Sequence, residues 1–346
     1  MTRIRFAYPR GAGWAAAYQK YYLLGFERQA ALRIEGVPLP VRLAPGVTNK
    51  FRVAYRLAHS SGAGHVGRYL AELDGREVRF AIDAHDAREI RDPEALDWAD
   101  VYFKPNSWGG LTYDPKVVSL VNGNGLLDYR HLARLRSLRD EPKRVDIAYI
   151  SNVWGGREHS LRVFERLAAL DCDADLLAIL PAGFPAEEDE ANAARLRAAG
   201  VPVTHEPLPP RELWQRLARA RLVPLRAGKH LCFSWRTIDL LAMGACIVFD
   251  ALPPPRWPVP LEAGLHVADC GVPRPEDTEP APDQEYERVT AEIERLLGLP
   301  AEQDALREAA ASYFDEHAAP TAVAGYALEI LARRSLTSSV TSSPTR

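Results

Sequence analysis

Residues 231–250 (LCFSWRTIDLLAMGACIVFD) place a short amphipathic helix directly in front of a buried strand. The helix repeats apolar residues at spacings of three and four, the pattern of one buried face. Four residues mark that face: Ile238, Leu241, Ala242 and Ala245. Gly244 is typical of a helix end, where a residue with positive φ is usually needed. The apolar run at 245–249 then predicts a parallel strand that is covered on both sides, as in α/β proteins.

The start of this helix carries groups that suit an anionic ligand. Ser234 is expected to cap the helix, because its hydroxyl can accept a hydrogen bond from a free backbone N–H. Arg236 and Asp239 are three residues apart and therefore share a face. Free N–H groups and Arg236 can bind a phosphate, and Asp239 can accept hydrogen bonds from hydroxyls, so the pattern suits a nucleotide sugar. The alternative is a plain Arg236–Asp239 pair along the helix, a weak contact of about 0.3–0.5 kcal/mol.

This stretch resembles the donor-binding motif of GT-B glycosyltransferases, particularly their group-1-like and exostosin-like branches. That motif is an acidic residue, a few small or apolar residues, a glycine and an apolar strand. Asp239 and Gly244 match it, with Asp in place of the usual Glu, and the resemblance implies that Asp239 binds the ribose hydroxyls of the nucleotide. Many group-1 members carry a second Glu eight residues earlier, where this chain has Leu231. That departure argues against carrying over their retaining mechanism.

The composition limits the class of protein. A chain of 346 residues that is 47% hydrophobic is long and apolar enough for two domains, each with its own core. The net charge of −3 argues against a nucleic-acid-binding protein, which normally has a basic surplus. No run approaches the roughly 20 apolar residues of a membrane span, although peripheral membrane contact is compatible with the sequence. The four cysteines have no paired spacing and the N-terminus has no leader-like apolar run, so a cytoplasmic protein with reduced thiols is expected.

Strands and helices alternate along the chain, which predicts an α/β fold of two Rossmann-like doubly wound domains facing a cleft, the GT-B architecture. The expected division is an N-terminal acceptor domain at residues 1–141 and a C-terminal donor domain at 142–318. A terminal helix at 319–334 is expected to pack back on the first domain, as the resemblance implies. The Ser/Thr-rich tail at 335–346 is expected to be disordered.

Two loops of the second half carry further candidates for donor binding. In NVWGGREHS, Gly155 and Gly156 would let backbone N–H groups approach a phosphate, and Arg157 could pair with it. In LRAGKHLCFS, a cationic cluster would stabilise the leaving nucleoside diphosphate without a metal ion. That cluster consists of Arg226, Lys229 and His230. An ordinary strand–helix turn and a solvated loop are the alternatives.

In the first half, the segment AIDAHDAREI follows a predicted strand and supplies three candidate catalytic bases. An inverting transfer needs a group that deprotonates the acceptor hydroxyl, and Asp83, His85 or Asp86 could do so. The alternative is that these residues cap a helix or hold a loop. Four more polar residues at predicted strand ends could line an acceptor cleft: Lys104, Asn106, Asn122 and Asn124.

A second motif supports a different class of enzyme. Residues 62–67 (GAGHVG) match the dinucleotide fingerprint, with glycines at 62, 64 and 67, and Asp83 follows about twenty residues later. The segment before it is interrupted by Arg and His and is a poor match to a buried strand. An NAD(P)-dependent oxidoreductase that uses Gly62–Gly67 is therefore the first alternative.

The function that the sequence favours is transfer of a sugar from a nucleotide-sugar donor to an acceptor hydroxyl. The expected enzyme is hexosyltransferase-like, independent of metal and cofactor, and acts in glycan or cell-surface polysaccharide synthesis. Its acceptor could be a glycan, a lipid-linked molecule or a protein. A non-catalytic GT-B-like binding protein is the second alternative, since Leu231 replaces the family's Glu.

Overall fold

The structure, a computed structural model, describes residues 3–6, 13–29, 33–35, 66–73, 75–153, 157–180, 186–273 and 280–337. The contacts divide the chain into two units. Unit 1 comprises residues 1–132, 254–260 and 314–346, and unit 2 comprises residues 133–253 and 261–313. The boundary expected between residues 141 and 142 falls inside unit 2 in this division. The cleft between two domains stays a prediction, and most of the tail expected to be disordered lies outside the described residues.

Unit 1 contains a six-stranded sheet with the order β2-β1-β3-β4-β5-β6. Its strands are β1 (Arg3–Phe6), β2 (Arg33–Glu35), β3 (Val66–Leu73), β4 (Arg76–Asp83), β5 (Val101–Lys104) and β6 (Val117–Ser119). β4, β5 and β6 run parallel, whereas β3 is antiparallel to both β1 and β4. The α/β class is confirmed, but β3 makes this sheet mixed. The reason is the two-residue link between β3 and β4, which is too short for a parallel crossover and forms a hairpin.

Unit 2 contains a second six-stranded sheet, with the order β12-β11-β10-β7-β8-β9 and every pair parallel. Its strands are β7 (Val145–Asn152), β8 (Ala174–Ile179), β9 (Val203–Thr204), β10 (Ala220–Leu225), β11 (Ile247–Phe249) and β12 (Ala268–Asp269). Numbered within the unit, the order is 6-5-4-1-2-3, that of a doubly wound Rossmann sheet. The order reverses between β7 and β10, so this sheet has its ligand-binding crevice at the carboxyl ends of those two strands.

Ten α-helices lie in the described ranges, and two 3-10 turns and one π-helical turn (Phe314–Ala318) accompany them. They are α1 (Gly13–Glu27), α2 (Pro93–Trp98), α3 (Tyr129–Ser137), α4 (Arg157–Ala168), α5 (Ala186–Ala198), α6 (Pro210–Ala218), α7 (Trp235–Ala242), α8 (Glu287–Leu297), α9 (Pro300–Tyr313) and α10 (Pro320–Thr337). Within this part of the chain, no helix is both long and apolar enough to cross a lipid bilayer.

The terminal helix α10 packs against α1, β3 and β4 within unit 1. The backbones of α1 and α10 meet at Gly25, where a Cβ atom would lie 1.9 Å from the carbonyl oxygen of Pro320. Aromatic side chains fill the core beneath them. The rings of Tyr69 and Phe80 stack with their centroids 4.7 Å apart, and Phe26 of α1 packs edge-on to Phe80. Helices α1 and α10, which are far apart along the chain, therefore pack against each other in unit 1.

The unit predicted at residues 231–250 forms as α7 and β11. The helix ends at Gly244 with a φ of 59°, and β11 pairs in parallel with β10 and β12. One detail of the prediction is wrong: Ser234 occupies the N-cap position, but its side chain makes no capping hydrogen bond. The N–H of Thr237, which the hydroxyl would have bound, instead donates to the carbonyl oxygen of Ser234 at 2.9 Å.

Candidate functional site

The crevice of unit 2 lies where β7 and β10 end side by side. α4 begins shortly after β7, and the loop 226–234 leads from β10 to α7. A helix that starts at such a crevice directs its free N–H groups and the positive end of its dipole toward a bound ligand. The crevice therefore has two sources of backbone donors, one on each side of the point where the strand order reverses.

Arg226 joins the two sides of the crevice. Its Nη2 donates to the carbonyl oxygen of Asn152, at the end of β7, over 3.2 Å. Its Nη1 donates to the hydroxyl of Ser160, which lies in the first turn of α4 and is fully buried. The guanidinium of Arg226 is thus held at the carboxyl end of β7, and its role as a phosphate-binding cation stays a prediction.

Arg236, in the first turn of α7, reaches the same strand. Its Nη1 donates to the carbonyl oxygen of Ile150 on β7. Burial lowers the pKa of Arg236, the charges of Asp239 and Tyr149 raise it, and the positive charge of Arg226 lowers it further. The two guanidiniums are therefore close enough to repel each other. Two guanidiniums against the one carboxylate of Asp239 leave positive charge at the end of β7, which attracts an anion.

The loop between β10 and α7 is held in an unusual backbone conformation. His230 and Leu231 have φ values of 57° and 54°, in the left-handed region that disfavours residues other than glycine. Each such residue costs about 1–2 kcal/mol. A hydrogen bond of 2.7 Å from the N–H of Gly228 to the carbonyl oxygen of Cys232 closes the loop. Strained backbone of this kind is common at ligand-binding sites, and here it begins four residues after Arg226.

A buried polar network fixes α4 against the end of β11. His159, in the first turn of α4, is fully buried and uses both ring nitrogens: Nε2 bonds the carboxylate of Asp250, and Nδ1 lies 2.7 Å from the hydroxyl of Tyr286. The other oxygen of Asp250 accepts a hydrogen bond from the N–H of Ala251 at 2.7 Å. Sequence reasoning missed this network. The only signals were a His at a helix start and an Asp directly after a buried strand.

Asp239, which the resemblance assigns to the ribose, is only 7% exposed. Its Oδ2 accepts a hydrogen bond of 2.9 Å from the indole Nε1 of Trp214 on α6. A group that binds a ribose has to be reachable, whereas this carboxylate packs α7 against α6. The structure therefore favours a packing role, and the ribose role of Asp239 stays a prediction.

Five further residues of unit 2 were predicted from the sequence to bind the nucleotide-sugar donor. Gly155 and Gly156 are outside the described residues. Arg157 begins α4, and Lys229 begins the 3-10 turn Lys229–Leu231. Both positions flank the crevice, on the α4 side and on the β10 side respectively. Ser234 lies at the start of α7, and its Oγ is buried with no hydrogen-bond partner among the described residues.

The three predicted bases lie at the carboxyl end of β4 in unit 1. Asp83 is fully buried, and its carboxylate accepts hydrogen bonds from Lys104 at 3.0 Å and Tyr102 at 2.9 Å. The N–H of His85 donates to its other oxygen at 3.0 Å. Burial lowers the pKa of the half-buried His85, so its ring is neutral at neutral pH and has a nitrogen that can take a proton. The carbonyl of Asp86 accepts a hydrogen bond from Asn106.

The position of Gly67 argues against the alternative of a dinucleotide-binding enzyme. In the fingerprint the third glycine packs a helix against the first strand, but Gly67 lies inside β3, paired with Ile82 of the antiparallel neighbour β4. A Cβ at this glycine would collide with Gln19 of α1. Gly62 and Gly64 lie outside the described residues. The motif therefore does not have the strand–turn–helix context that its chemistry requires.

Within the described ranges, no cluster of three or more His, Cys, Asp or Glu side chains is arranged to hold a metal ion. The metal-independent mechanism stays a prediction.

No protein-family model and no curated protein matches this chain. Among solved structures it is similar to a glycosyltransferase from Rickettsia africae, with a TM-score of 0.45 and 12% identity over 68% of this chain and 63% of that one. HepE of Anabaena, solved in complex with UDP and glucose, matches with a TM-score of 0.45 and 12% identity over 68% and 64% of the two chains. WaaG, a glycosyltransferase involved in lipopolysaccharide biosynthesis, matches with a TM-score of 0.45 and 13% identity over 94% and 97%.

Two of these structures, that from Rickettsia africae and WaaG, are glycosyltransferases. The chain spans less than two thirds of the length of the Rickettsia africae protein and of HepE.

Proposed function

We propose that this protein is a glycosyltransferase whose nucleotide-sugar donor binds unit 2 at the carboxyl ends of β7 and β10. The single observation that carries the proposal is the pair of guanidiniums, Arg226 and Arg236, that converge on the backbone of β7. Their mutual repulsion is relieved when an anion binds. A nucleoside diphosphate presents phosphate oxygens, which guanidinium groups bind through paired hydrogen bonds.

The chemistry of sugar transfer suits this arrangement. When the bond between the sugar and the diphosphate breaks, negative charge develops on the phosphate oxygen that leaves. Positive groups that are already in place stabilise that charge without reorganising. Arg226 is held in place by Asn152 and Ser160, and the N-terminal turn of α4 adds backbone donors on the same side.

The same groups would accept the diphosphate of a dinucleotide, but the sequence of the loop after β7 argues for a sugar donor. The loop NVWGGREHS lacks the three-glycine fingerprint that brings a dinucleotide pyrophosphate close to the helix. The only match to that fingerprint, at residues 62–67, places its third glycine inside β3. Hexosyl specificity, an acceptor in glycan or polysaccharide synthesis, and a base among Asp83, His85 and Asp86 remain parts of the proposal.

A ligand panel tests the proposal. Purified protein is titrated with UDP, GDP, ADP and NADH, and thermal unfolding is followed in each case. We expect one nucleoside diphosphate to raise the melting temperature, since a ligand that binds only the folded state stabilises it. Arg226→Ala should abolish that rise. Arg197→Ala is the matched control, because Arg197 is an exposed arginine of α5 whose ion pair among the described residues is with Glu190 at 3.2 Å.

Turnover separates the enzyme from a binding protein. The nucleotide sugar that corresponds to the best nucleotide is incubated with the protein, and release of the nucleoside diphosphate is measured by chromatography. Release that Arg226→Ala abolishes supports the transferase. The non-catalytic alternative would be supported if the protein bound the nucleotide tightly but released no nucleoside diphosphate from the nucleotide sugar when glycan, lipid-linked and protein acceptors were supplied. Stabilisation by NADH alone would overturn the proposal.

A further inference from the structure

A pocket opens in unit 1 beside the chain that leaves β6. Its volume is about 330 Å³, near the lower end of the range for ligand pockets. Six of the side chains that line it are aliphatic: Leu120, Val121, Pro258, Val259, Ala322 and Val323. The others are Glu316, His317 and Tyr326, and all of these residues belong to unit 1. Leu120 follows the last residue of β6, so the pocket lies at the carboxyl end of a parallel strand, the edge at which α/β sheets bind ligands.

Two neighbouring tyrosines of α1 hold two walls of this pocket. The hydroxyl of Tyr22 donates to the carbonyl oxygen of Val121 at 3.0 Å, on the side of β6. The hydroxyl of Tyr21 donates to the carbonyl oxygen of Ala318, the residue after His317. Both tyrosines are buried. The two walls are therefore fixed by one helix, and the shape of the pocket does not depend on a bound ligand, which lowers the cost of binding one.

The hydrogen-bonding groups of the pocket come largely from a π-helical turn. The N–H of Ala319 donates to the carbonyl oxygen of Phe314 at 2.6 Å, which is five residues back instead of the usual four. The wider turn carries Glu316 and His317, whose Oε2 and Nε2 lie 3.8 Å apart. Such turns are rare and occur frequently at functional sites. This one places a carboxylate and an imidazole side by side at an otherwise apolar pocket.

The charges around the pocket argue against an anionic ligand. Among the lining residues that the structure describes there is no lysine or arginine, and Glu316 contributes a negative charge. A phosphate or carboxylate bound here would face that carboxylate without a guanidinium or ammonium group to neutralise it. A hydroxyl group, in contrast, donates a hydrogen bond to the carboxylate. The lining therefore favours a neutral ligand that carries hydroxyl groups.

A sugar ring has both surfaces that this pocket requires. One face of the ring presents C–H groups, which pack against the aliphatic side chains and the aromatic ring of Tyr326. The hydroxyls at its edge can donate to Glu316 and can bond the imidazole of His317, which has a donor and an acceptor nitrogen. A plain hydrocarbon would shield these polar groups from water and offer them no hydrogen bond in return, which is unfavourable.

We propose that this pocket binds one neutral sugar ring, which packs on the buried Val121 and Val323 and directs its hydroxyls to Glu316 and His317. The site lies within unit 1 and uses none of the residues proposed to bind the nucleotide-sugar donor in unit 2. It therefore goes beyond the proposed transfer reaction and does not depend on it.

Methyl NMR tests the site in the full-length protein without nucleotide. The methyl groups of valine and leucine are labelled with 13C, and methyl glycosides of glucose, galactose, mannose and N-acetylglucosamine are added in turn. We expect at least one glycoside to shift the signals of Val121 and Val323, because both side chains line the pocket. The signal of Leu265, an exposed leucine of unit 2, should stay unchanged. A hexuronate, a hexose phosphate and hexanol at the same concentration should shift the two valine signals less.

Glu316→Ala tests the hydrogen-bonding side of the pocket. Loss of the carboxylate should lower the affinity for the best glycoside about tenfold, the scale of a hydrogen bond to a charged group. Glu329→Ala is the matched control, because the side chain of Glu329 is 60% exposed, close to the 68% of Glu316, and does not line the pocket. This control should bind the glycoside as tightly as the wild type.

Four results would overturn the proposal. The first is that no glycoside shifts the signals of Val121 and Val323, and the second is that Leu265 shifts as much as they do. The third is a stronger response to hexanol or to an anionic sugar than to every neutral glycoside. The fourth is an affinity that Glu316→Ala leaves unchanged. None of these results bears on nucleotide binding in unit 2, and a failure to bind nucleotide would leave the sugar site of unit 1 untouched.

Discussion

The Nη2 of Arg226 donates a hydrogen bond to the carbonyl oxygen of Asn152 over 3.2 Å, and this contact joins the ends of β10 and β7. These strands are neighbours in the sheet although 74 residues separate the two partners along the chain. The strand order of unit 2 reverses between them, so the contact marks the crevice of the sheet. A cation fixed at this point is the main reason to place a phosphate there.

Arg226→Lys should weaken nucleotide binding without abolishing it. A lysine keeps the positive charge, but its single ammonium cannot reproduce a planar fork that reaches both Asn152 and Ser160. Loss of one charge-assisted hydrogen bond is worth about 1.5–3 kcal/mol, which corresponds to an affinity about tenfold to a hundredfold lower. Isothermal titration with the best nucleotide measures the change. Unaltered affinity in Arg226→Lys, with Arg197→Lys as the control, would contradict the role of the fork.

Asp239→Asn should leave nucleotide affinity unchanged. The asparagine retains an oxygen that can accept from the indole of Trp214, so the packing of α7 on α6 survives. Titration calorimetry on the variant and the wild type gives the comparison. A loss of about tenfold or more, the scale of a lost hydrogen bond to a charged group, would instead support the ribose role that the family resemblance implies.

Asp250→Ala should destabilise unit 2 strongly. The substitution leaves His159 buried without one of its partners and removes the acceptor of the N–H of Ala251. Each unsatisfied buried group costs about 1–3 kcal/mol, so urea unfolding should show a loss within or above that range. Glu190→Ala removes only an exposed ion pair with Arg197 and should change the unfolding free energy by less than about 1 kcal/mol. Similar losses of unfolding free energy in Asp250→Ala and Glu190→Ala would show that the hydrogen bonds of Asp250 do not stabilise unit 2.

Gly25→Ala should disturb the packing of α10 on α1. The new methyl would lie 1.9 Å from the carbonyl oxygen of Pro320, so one backbone has to move, at a cost of about 1–3 kcal/mol. Gly110→Ala is the control, because a Cβ at Gly110 meets nothing within 4 Å. Thermal unfolding of both variants gives the comparison. The packing described here would be wrong if Gly25→Ala were as stable as the control.

The stability that Lys143 contributes should rise with pH. Burial lowers its pKa to about 8 in the folded state from 10.5 in the unfolded state. Below pH 8 both states hold the proton, and the unfavourable burial of the charge is fully present. Between pH 8 and 10.5 the folded state loses the proton first, so stability increases. The unfolding free energy of the wild type, measured relative to that of Lys143→Met, should therefore increase over this range. A decrease would contradict the lowered pKa of Lys143.

Local patterns in the sequence predicted the helix–strand unit well. The spacing of apolar residues at 235–242, the glycine at 244 and the apolar strand after it all recur in the structure, because each depends on residues near one another in the chain. The pair Asp74–Gly75 is a hairpin signal of the same kind, and it indicates the antiparallel pairing of β3 with β4 in unit 1.

Charge and burial were not predictable in the same way. The sequence showed that Arg226, Arg236 and Asp239 are near a helix start, but not that Asp239 packs against Trp214. The bond between His159 and Asp250 spans 91 residues and has no local signature. Lys20 was not distinguishable from a surface lysine, because the side chains that bury it belong to other elements.

By itself the sequence determined the alternation of strands and helices, the length and end of α7, and the positive residues at the carboxyl ends of β7 and β10. Only the tertiary structure decided that β10 lies beside β7, which brings two guanidiniums to one crevice, and that Lys20 is buried. The reason is physical: periodicity and helix-end signals act between neighbours in the chain, whereas strand pairing and desolvation depend on residues that meet only in the folded protein.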